Sequence, residues 1–294
     1  MREELEMARI VERRWNVLAG VVGVVVALVG GALVAGASGE PSSAGGRSRQ
    51  AFRDGAGRPC SSGTEGRREG TAIATAKLII EYNSTDEDLG VHGAFDDHGW
   101  KRLCVLDPSG RPVLVVGPRN QMRDLAMAGI FFESREPPTA EFSFADLEAA
   151  FPEGEYAVRG ESLDGTILVG SATLTHDVPA PPTISSPEVA REPRGAERNP
   201  VSLEDLVIEW ARVTGTVAGG PVEIVGYEVI ITKDVDDDPN GFSRPTYDVH
   251  LPATADRLGI PAEFLEANTM YELEVLALEA SGNQSISVGF FKTA

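Results

Sequence analysis

The sequence predicts an all-β protein: two β-sandwich-like domains, the first carrying one or two helical inserts, behind an N-terminal hydrophobic helix. Three observations carry this. Apolar residues recur at every second position in many short segments, the period of a half-buried strand. Gly, Pro, Asn and Asp punctuate those segments at turn spacing. Helical patterning is confined to one uncharged run near the N-terminus and to short stretches elsewhere.

Residues 1–16 are a charged N-terminal segment ending in Arg13-Arg14 before Trp15 and Asn16. Val17 to Ala37 is an unbroken run of apolar and small residues, long enough to span a bilayer as a helix, which takes about 20 residues. Two readings compete: an uncleaved transmembrane anchor, or a signal peptide cleaved after Ala35-Gly36-Ala37. The anchor is favoured, because the run is long for a signal and Glu3, Glu4 and Glu6 are foreign to a basic leader. Ala19, Gly23, Ala27, Gly31 and Ala35 recur every four residues, a small-residue stripe of the kind that lets membrane helices pair as a homodimer. Arg residues flank both ends, so the positive-inside rule decides orientation weakly.

Residues 38–70 are rich in Gly, Ser and Arg and read as a flexible linker. A β-rich domain follows over residues 71–178. Leu78, Ile80 and Tyr82 lie on one side of a strand. Arg102–Leu106, Asp107-Pro108-Ser109-Gly110 and Pro112–Val116 read as a hairpin. Ile130–Glu133 is a further strand. Phe142–Phe151 is a short helix, capped by Ser143 with Asp146 three residues on and stopped by Pro152. Tyr156–Glu161 and Thr166–Thr175 form a second hairpin around Asp164-Gly165, read as a two-residue turn. Val178-Pro179-Ala180-Pro181-Pro182 opens a stiff Pro-rich linker over 179–199, whose later part could instead supply the next domain's first strand.

In residues 200–294 the alternation is clearer. Leu206, Ile208 and Trp210 make one strand, Gly226–Ile231 a second, Tyr247–Leu251 a third and Ile286–Phe291 the last. Leu265-Glu266-Ala267-Asn268-Thr269-Met270-Tyr271 resembles the tyrosine corner of a fibronectin type III domain, in which a tyrosine at a strand start hydrogen-bonds backbone upstream. Trp210 and Tyr227 match the core pair of that domain. The resemblance covers about residues 182–294, with Ala267 in place of the usual proline. Phe131-Phe132-Glu133-Ser134, Phe151-Pro152-Glu153-Gly154-Glu155-Tyr156 and Pro261–Leu265 further resemble a group of bacterial type III proteins that have no assigned activity. What this implies is a scaffold, with function in loops and faces. The Arg-Gly-Asp tripeptide of some type III domains is absent; Arg159-Gly160-Glu161 is its nearest match.

With 26 Lys and Arg against 45 Asp and Glu, the formal net charge is −19, which argues against nucleic acid as a partner. Two cysteines are too few for a disulfide framework. Cys104 in an apolar strand reads as a buried thiol and Cys60 as an incidental one; a Cys60–Cys104 bridge and a Cys60–Cys60 dimer are the alternatives.

Asp236, Asp238 and Asn240, followed by Gly241, match the opening of a calcium loop. Tyr247 stands where such a loop needs its bidentate Glu, and a solvated acidic hairpin is the competing reading. Asp86, Asp88, Asp96 and Asp97 with His92 and His98 form a second polar cluster, whose spacing fits no compact metal site. His176 and His250 read as structural. No nucleophile elbow, phosphate-binding Gly loop, paired zinc histidines or CxxC occurs in the sequence.

The expectation is therefore a non-enzymatic module without a cofactor other than calcium at that loop. It would sit at the cell membrane as a single-pass protein with extracytoplasmic domains, or be secreted, and would bind a protein or an envelope polysaccharide. The alternatives are a structural spacer stiffened by calcium, and an accessory part of a secreted hydrolase.

Overall fold

A computed structural model describes residues 70–235 and 244–294. The N-terminal segment, the apolar run with its small-residue stripe and nearly all of the first linker lie outside the described residues. So do Asp236, Asp238 and Asn240.

The first unit contains β1 (Thr71–Ala72), β2 (Thr75–Asn83), β3 (Asp88–Leu106), β4 (Pro112–Val116), α1 (Asn120–Leu125), β5 (Met127–Glu133), α2 (Phe144–Ala150), β6 (Gly154–Ser162) and β7 (Ile167–Leu174). Its organiser is β3, 19 residues long. The first half of β3 pairs with β2 and β5, and the second half with β4 and β6. Register shifts on both sides of Trp100 mark where the strand changes partners. Gly99, at φ +140°, permits the bend. The irregularity turns Trp100 inward, where it is fully buried and its indole N–H donates to the Ala128 carbonyl at 3.1 Å.

Leu78, Ile80, Phe95, Trp100, Leu103, Val105, Tyr156 and Leu174 join the core of this unit. Leu147 of α2 closes it. That helix has the expected capping box, with reciprocal bonds between Ser143 and Asp146. The β6–β7 turn differs from the two-residue expectation. The Ser162 amide donates to the Thr166 carbonyl, and Asp164 accepts from the Thr166 amide at 3.0 Å, so the loop is wider and held by its own side chains.

The second unit contains β8 (Thr183–Ser186), α3 (Pro193–Ala196), β9 (Val207–Ala211), β10 (Ile224–Lys233), β11 (Thr246–Pro252), β12 (Arg257–Gly259), β13 (Met270–Glu279) and β14 (Gln284–Lys292). One sheet has the order β12-β9-β8, and the other runs β14-β13-β10-β11. This three-against-four partition is a fibronectin type III-like sandwich. Within the segment read as a Pro-rich linker, Thr183–Ser186 is its first strand.

Trp210 and Tyr227 pack with ring centroids 5.5 Å apart. Tyr271 is fully buried, and its hydroxyl accepts from the Glu266 amide at 2.8 Å, which makes the corner. A comparable corner stands in the first unit: the Tyr156 hydroxyl donates to the Pro152 carbonyl at 3.0 Å.

The two units share one sheet. β14 pairs in parallel with β2, matching Gln284, Ser285 and Ile286 to Glu81, Tyr82 and Asn83. The result is an 11-stranded sheet in which β3-β2-β14-β13 is continuous. Asn283, 1% exposed, locks the seam. Its side-chain oxygen accepts from the Ile80 amide at 2.8 Å, and its side-chain nitrogen donates to the Thr175 carbonyl at 3.0 Å.

Cys104 is fully buried and disulfide-bonded. The bridged reading thus replaces the buried-thiol reading. The other cysteine of the sequence, Cys60, lies outside the described residues. Among the described residues, no helix is long and apolar enough to cross a membrane.

Candidate functional site

Side chains alternate across a strand, so pairing β2 with β14 also joins one face of each unit. On that joined face lie His92 of β3, Glu81 of β2, Gln284 of β14, Glu272 and Glu274 of β13, Glu228 of β10, and Asp248 and His250 of β11. The registers Glu81↔Gln284 and Glu228↔His250 fix this alignment. Ile230, Leu276 and Ile286 form a buried apolar cluster between the acids. The carboxylates of Glu81, Glu228, Glu272 and Glu274 are consequently buried.

Burial in apolar surroundings disfavours the charged carboxylate. Desolvation, together with the charge of Glu272, holds the Glu274 carboxyl well above its ordinary range. Desolvation and then the neighbouring Asp248 charge raise Glu228. Desolvation also raises Glu81, against the opposing charge of His92.

Two groups of converging donor atoms stand on this face. The first is Glu81, His92 and Glu136, with one donor atom of each within 4.8 Å of the others. The His92 side chain is 2% exposed, with Nε2 at 2.9 Å from Glu136 Oε1 and Nδ1 at 3.6 Å from Glu81 Oε2. His92 Nδ1 has no hydrogen-bond partner. The Gln284 side-chain amide donates to Glu81 Oε2 from across the seam. Glu133 faces His92 in the β3–β5 register, and desolvation and then the charge of Glu136 push it up to about 7. Burial lowers His92, but Glu81 and then Glu136 outweigh it and raise the imidazole to about 9.

The second group is Glu228, Asp248 and His250. His250 is half exposed and stands 3.4 Å from Glu228, so it is not the isolated structural histidine of the sequence reading. His176 is structural: its ring bonds the Phe151 carbonyl at 2.8 Å.

The polar cluster read from the sequence is dispersed. His98 is 97% exposed and lies beside Asp97. His92 instead meets Glu81 and Glu136, 11 residues before it and 44 after it. Only the β2–β3 register and the return of the chain after β5 bring these together. The one local signal was Gly90: a Cβ there would stand 2.7 Å from Glu136 Cγ and Oε1, so glycine leaves room for that carboxylate over β3.

A separate feature is the β4 edge. Among the described strands β4 pairs only with β3. Leu114 and Val116 pack on the core, whereas Val113 and Val115 are 45% and 50% exposed. In α1, which follows, Met122 is 52% and Leu125 77% exposed.

No family model and no curated protein matches this chain. Solved structures with some likeness include the FN1–FN3 domains of chicken CNTN1 (14% identity, TM-score 0.31), aligned over 76% of this chain and 67% of that one. A tetra-tandem repeat in the extending region of a large adhesion protein aligns over 75% of this chain and 50% of that one (10% identity, TM-score 0.26). The BSP domain of a biofilm-associated protein aligns over 74% and 29% respectively (18% identity, TM-score 0.21). The chain therefore spans half or less of the length of the latter two. At identities and scores this low, the likeness bears on neither ligand nor location.

Proposed function

We propose that this chain is a non-enzymatic, extracytoplasmic interaction module of the bacterial type III group, binding a protein partner along the β4 edge. The carrying observation is that edge itself. Backbone beside Val113 and Val115 that pairs with no second described strand is a template for an added strand, and large apolar side chains on an edge are normally avoided unless they are used. Apolar anchors favour an extended protein segment over a sugar polymer. The disulfide at Cys104 supports an oxidising compartment. The apolar run Val17–Ala37 supports a membrane tether, and the module would be secreted if that run were cleaved.

The test is a binding screen of the purified chain against arrayed envelope proteins and envelope glycans, repeated with the double variant Val113→Lys/Val115→Lys. The expected result is a protein ligand whose affinity falls at least tenfold in the variant while the melting midpoint moves by only a few degrees. Unchanged binding by the variant, or glycan binding alone, would remove β4 as the recognition surface.

A second reading, a surface spacer, is favoured by the shared sheet, in which β14 of one unit pairs directly with β2 of the other. In this reading the Asp236/Asp238/Asn240 loop takes calcium. A calcium-dependent rise in melting temperature, lost in Asp236→Ala, would support it.

A further inference from the structure

Among the described residues of the acidic face joined across the seam, Asp248 Oδ1 and His92 Nδ1 are buried without a hydrogen bond, and the histidine nitrogen is the one set among several carboxylates. His92 is 1% exposed, and its Nδ1 lies buried without a hydrogen bond. A buried polar atom in that state costs about 1–3 kcal/mol and so calls for a partner. The nearest group is a carboxylate oxygen of Glu81 at 3.6 Å, too far to bond directly. That separation suits two donors on one ion. Two ligands of a tetrahedral zinc ion, each about 2.1 Å from it, stand about 3.4 Å apart.

The opposite ring nitrogen is already oriented. Nε2 lies 2.9 Å from Glu136 Oε1, the arrangement by which a carboxylate fixes the tautomer of a metal-bound histidine. An ion arriving at Nδ1 displaces the proton of that nitrogen, while Nε2 keeps its own toward Glu136, and the Nδ1 lone pair so freed lies on the Glu81 side. Gly90 makes the room that lets Glu136 lie there, since any other side chain would meet its carboxylate. Glu81 is steadied in turn by the Gln284 amide from β14. Charge points the same way: Glu81, Glu133 and Glu136 surround a single imidazole, and a divalent cation offsets that excess.

We propose that Glu81, His92 and Glu136 form a binding site for a divalent transition-metal ion of the zinc class, beside the seam between the two units. Glu81 and His92 Nδ1 ligate the ion. Glu136 either supplies a third oxygen or holds the imidazole through Nε2, and solvent completes the shell. The mixed nitrogen and oxygen donor set disfavours calcium, which takes oxygen ligands. The ion would tie β2 and β3 to the loop after β5, next to the strand that carries the second unit. This is a stabilising site, independent of the β4 edge.

The test uses the full-length chain in detergent, stripped of metal and dialysed against Zn²⁺ and, in parallel, Co²⁺. Wild type is expected to retain one tight equivalent of Zn²⁺ and to give the intense visible absorption of four-coordinate Co²⁺. His92→Gln should abolish both. Glu136→Gln, on the loop, should weaken Zn²⁺ binding at least tenfold and decides the matter if His92→Gln does not fold. His98→Ala, which alters the exposed histidine, should change nothing. The proposal is overturned if wild type holds no tight equivalent, if the equivalent survives in folded His92→Gln, if it survives undiminished in Glu136→Gln, or if His98→Ala removes it.

Discussion

At the scale of single residues, the two sandwich units are closed by tyrosines that use their hydroxyls in opposite senses. Tyr271 accepts from the Glu266 amide, whereas Tyr156 donates to the Pro152 carbonyl. Both rings are fully buried, so replacing either by Phe keeps the packing and deletes one bond. Each of Tyr271→Phe and Tyr156→Phe is expected to cost about 1 kcal/mol, measured by urea denaturation. The two sites lie in separate cores, so the double variant should show the sum. A cost near zero for Tyr271→Phe would mean that the corner is held by packing alone. The Leu265–Tyr271 corner was legible in the sequence because all its parts are local. The Tyr156 corner was not identified, although Phe151-Pro152-Glu153-Gly154-Glu155-Tyr156 was singled out as a resemblance, because it follows a helix rather than the usual type III turn.

At the scale of elements, the acidic face governs how the fold responds to pH. Burial raises the folded-state pKa of Glu228 and Glu274 above the ordinary carboxyl value of 4.5. The native state therefore binds more protons than the unfolded state above that value. Stability from these groups is fully present below about pH 4.5 and is lost as pH rises through their raised values. The melting midpoint, taken with a chelator present, should be higher at pH 5 than at pH 8. Glu274→Gln, which keeps shape and removes the charge, should flatten that dependence. A midpoint that rises between pH 5 and pH 8 would contradict the burial of these acids. The strands bearing them were readable from alternation, which marks one side of each strand as core. Their outer side reads as solvated acid, because a strand's own sequence does not reveal what lies against its other face.

At the scale of the whole molecule, the parallel pairing of β14 with β2 turns two sandwiches into one mechanical body. Asn283 carries much of that seam, satisfying Ile80 of one strand and Thr175 at the end of another. Wild type should unfold in a single transition. Asn283→Ala strands a buried amide and a carbonyl, and is expected to cost about 2 kcal/mol. It should also separate the thermogram into two transitions, one per unit. Calorimetry decides this, and a single unsplit transition in the variant would show that the seam is held by the backbone ladder rather than by Asn283.

Sequence alone determined what depends on neighbours in the chain. The capping box of α2, the hairpin at Asp107–Gly110, the alternation of β9, β10, β11 and β14, and the corner at Tyr271 are all set by residues within a few positions of one another. Tertiary structure alone decided the rest. The 19-residue β3 was obscured because Asp96-Asp97-His98 and the irregular bend at Gly99 interrupt its strand period in the middle. β8 was hidden among prolines, and β12 is three residues long. The partnership of Glu81, His92 and Glu136, like the seam through Gln284, exists only because register and chain return bring distant residues to one face. Register is a property of two strands at once, and no single strand's sequence encodes the partner that completes it.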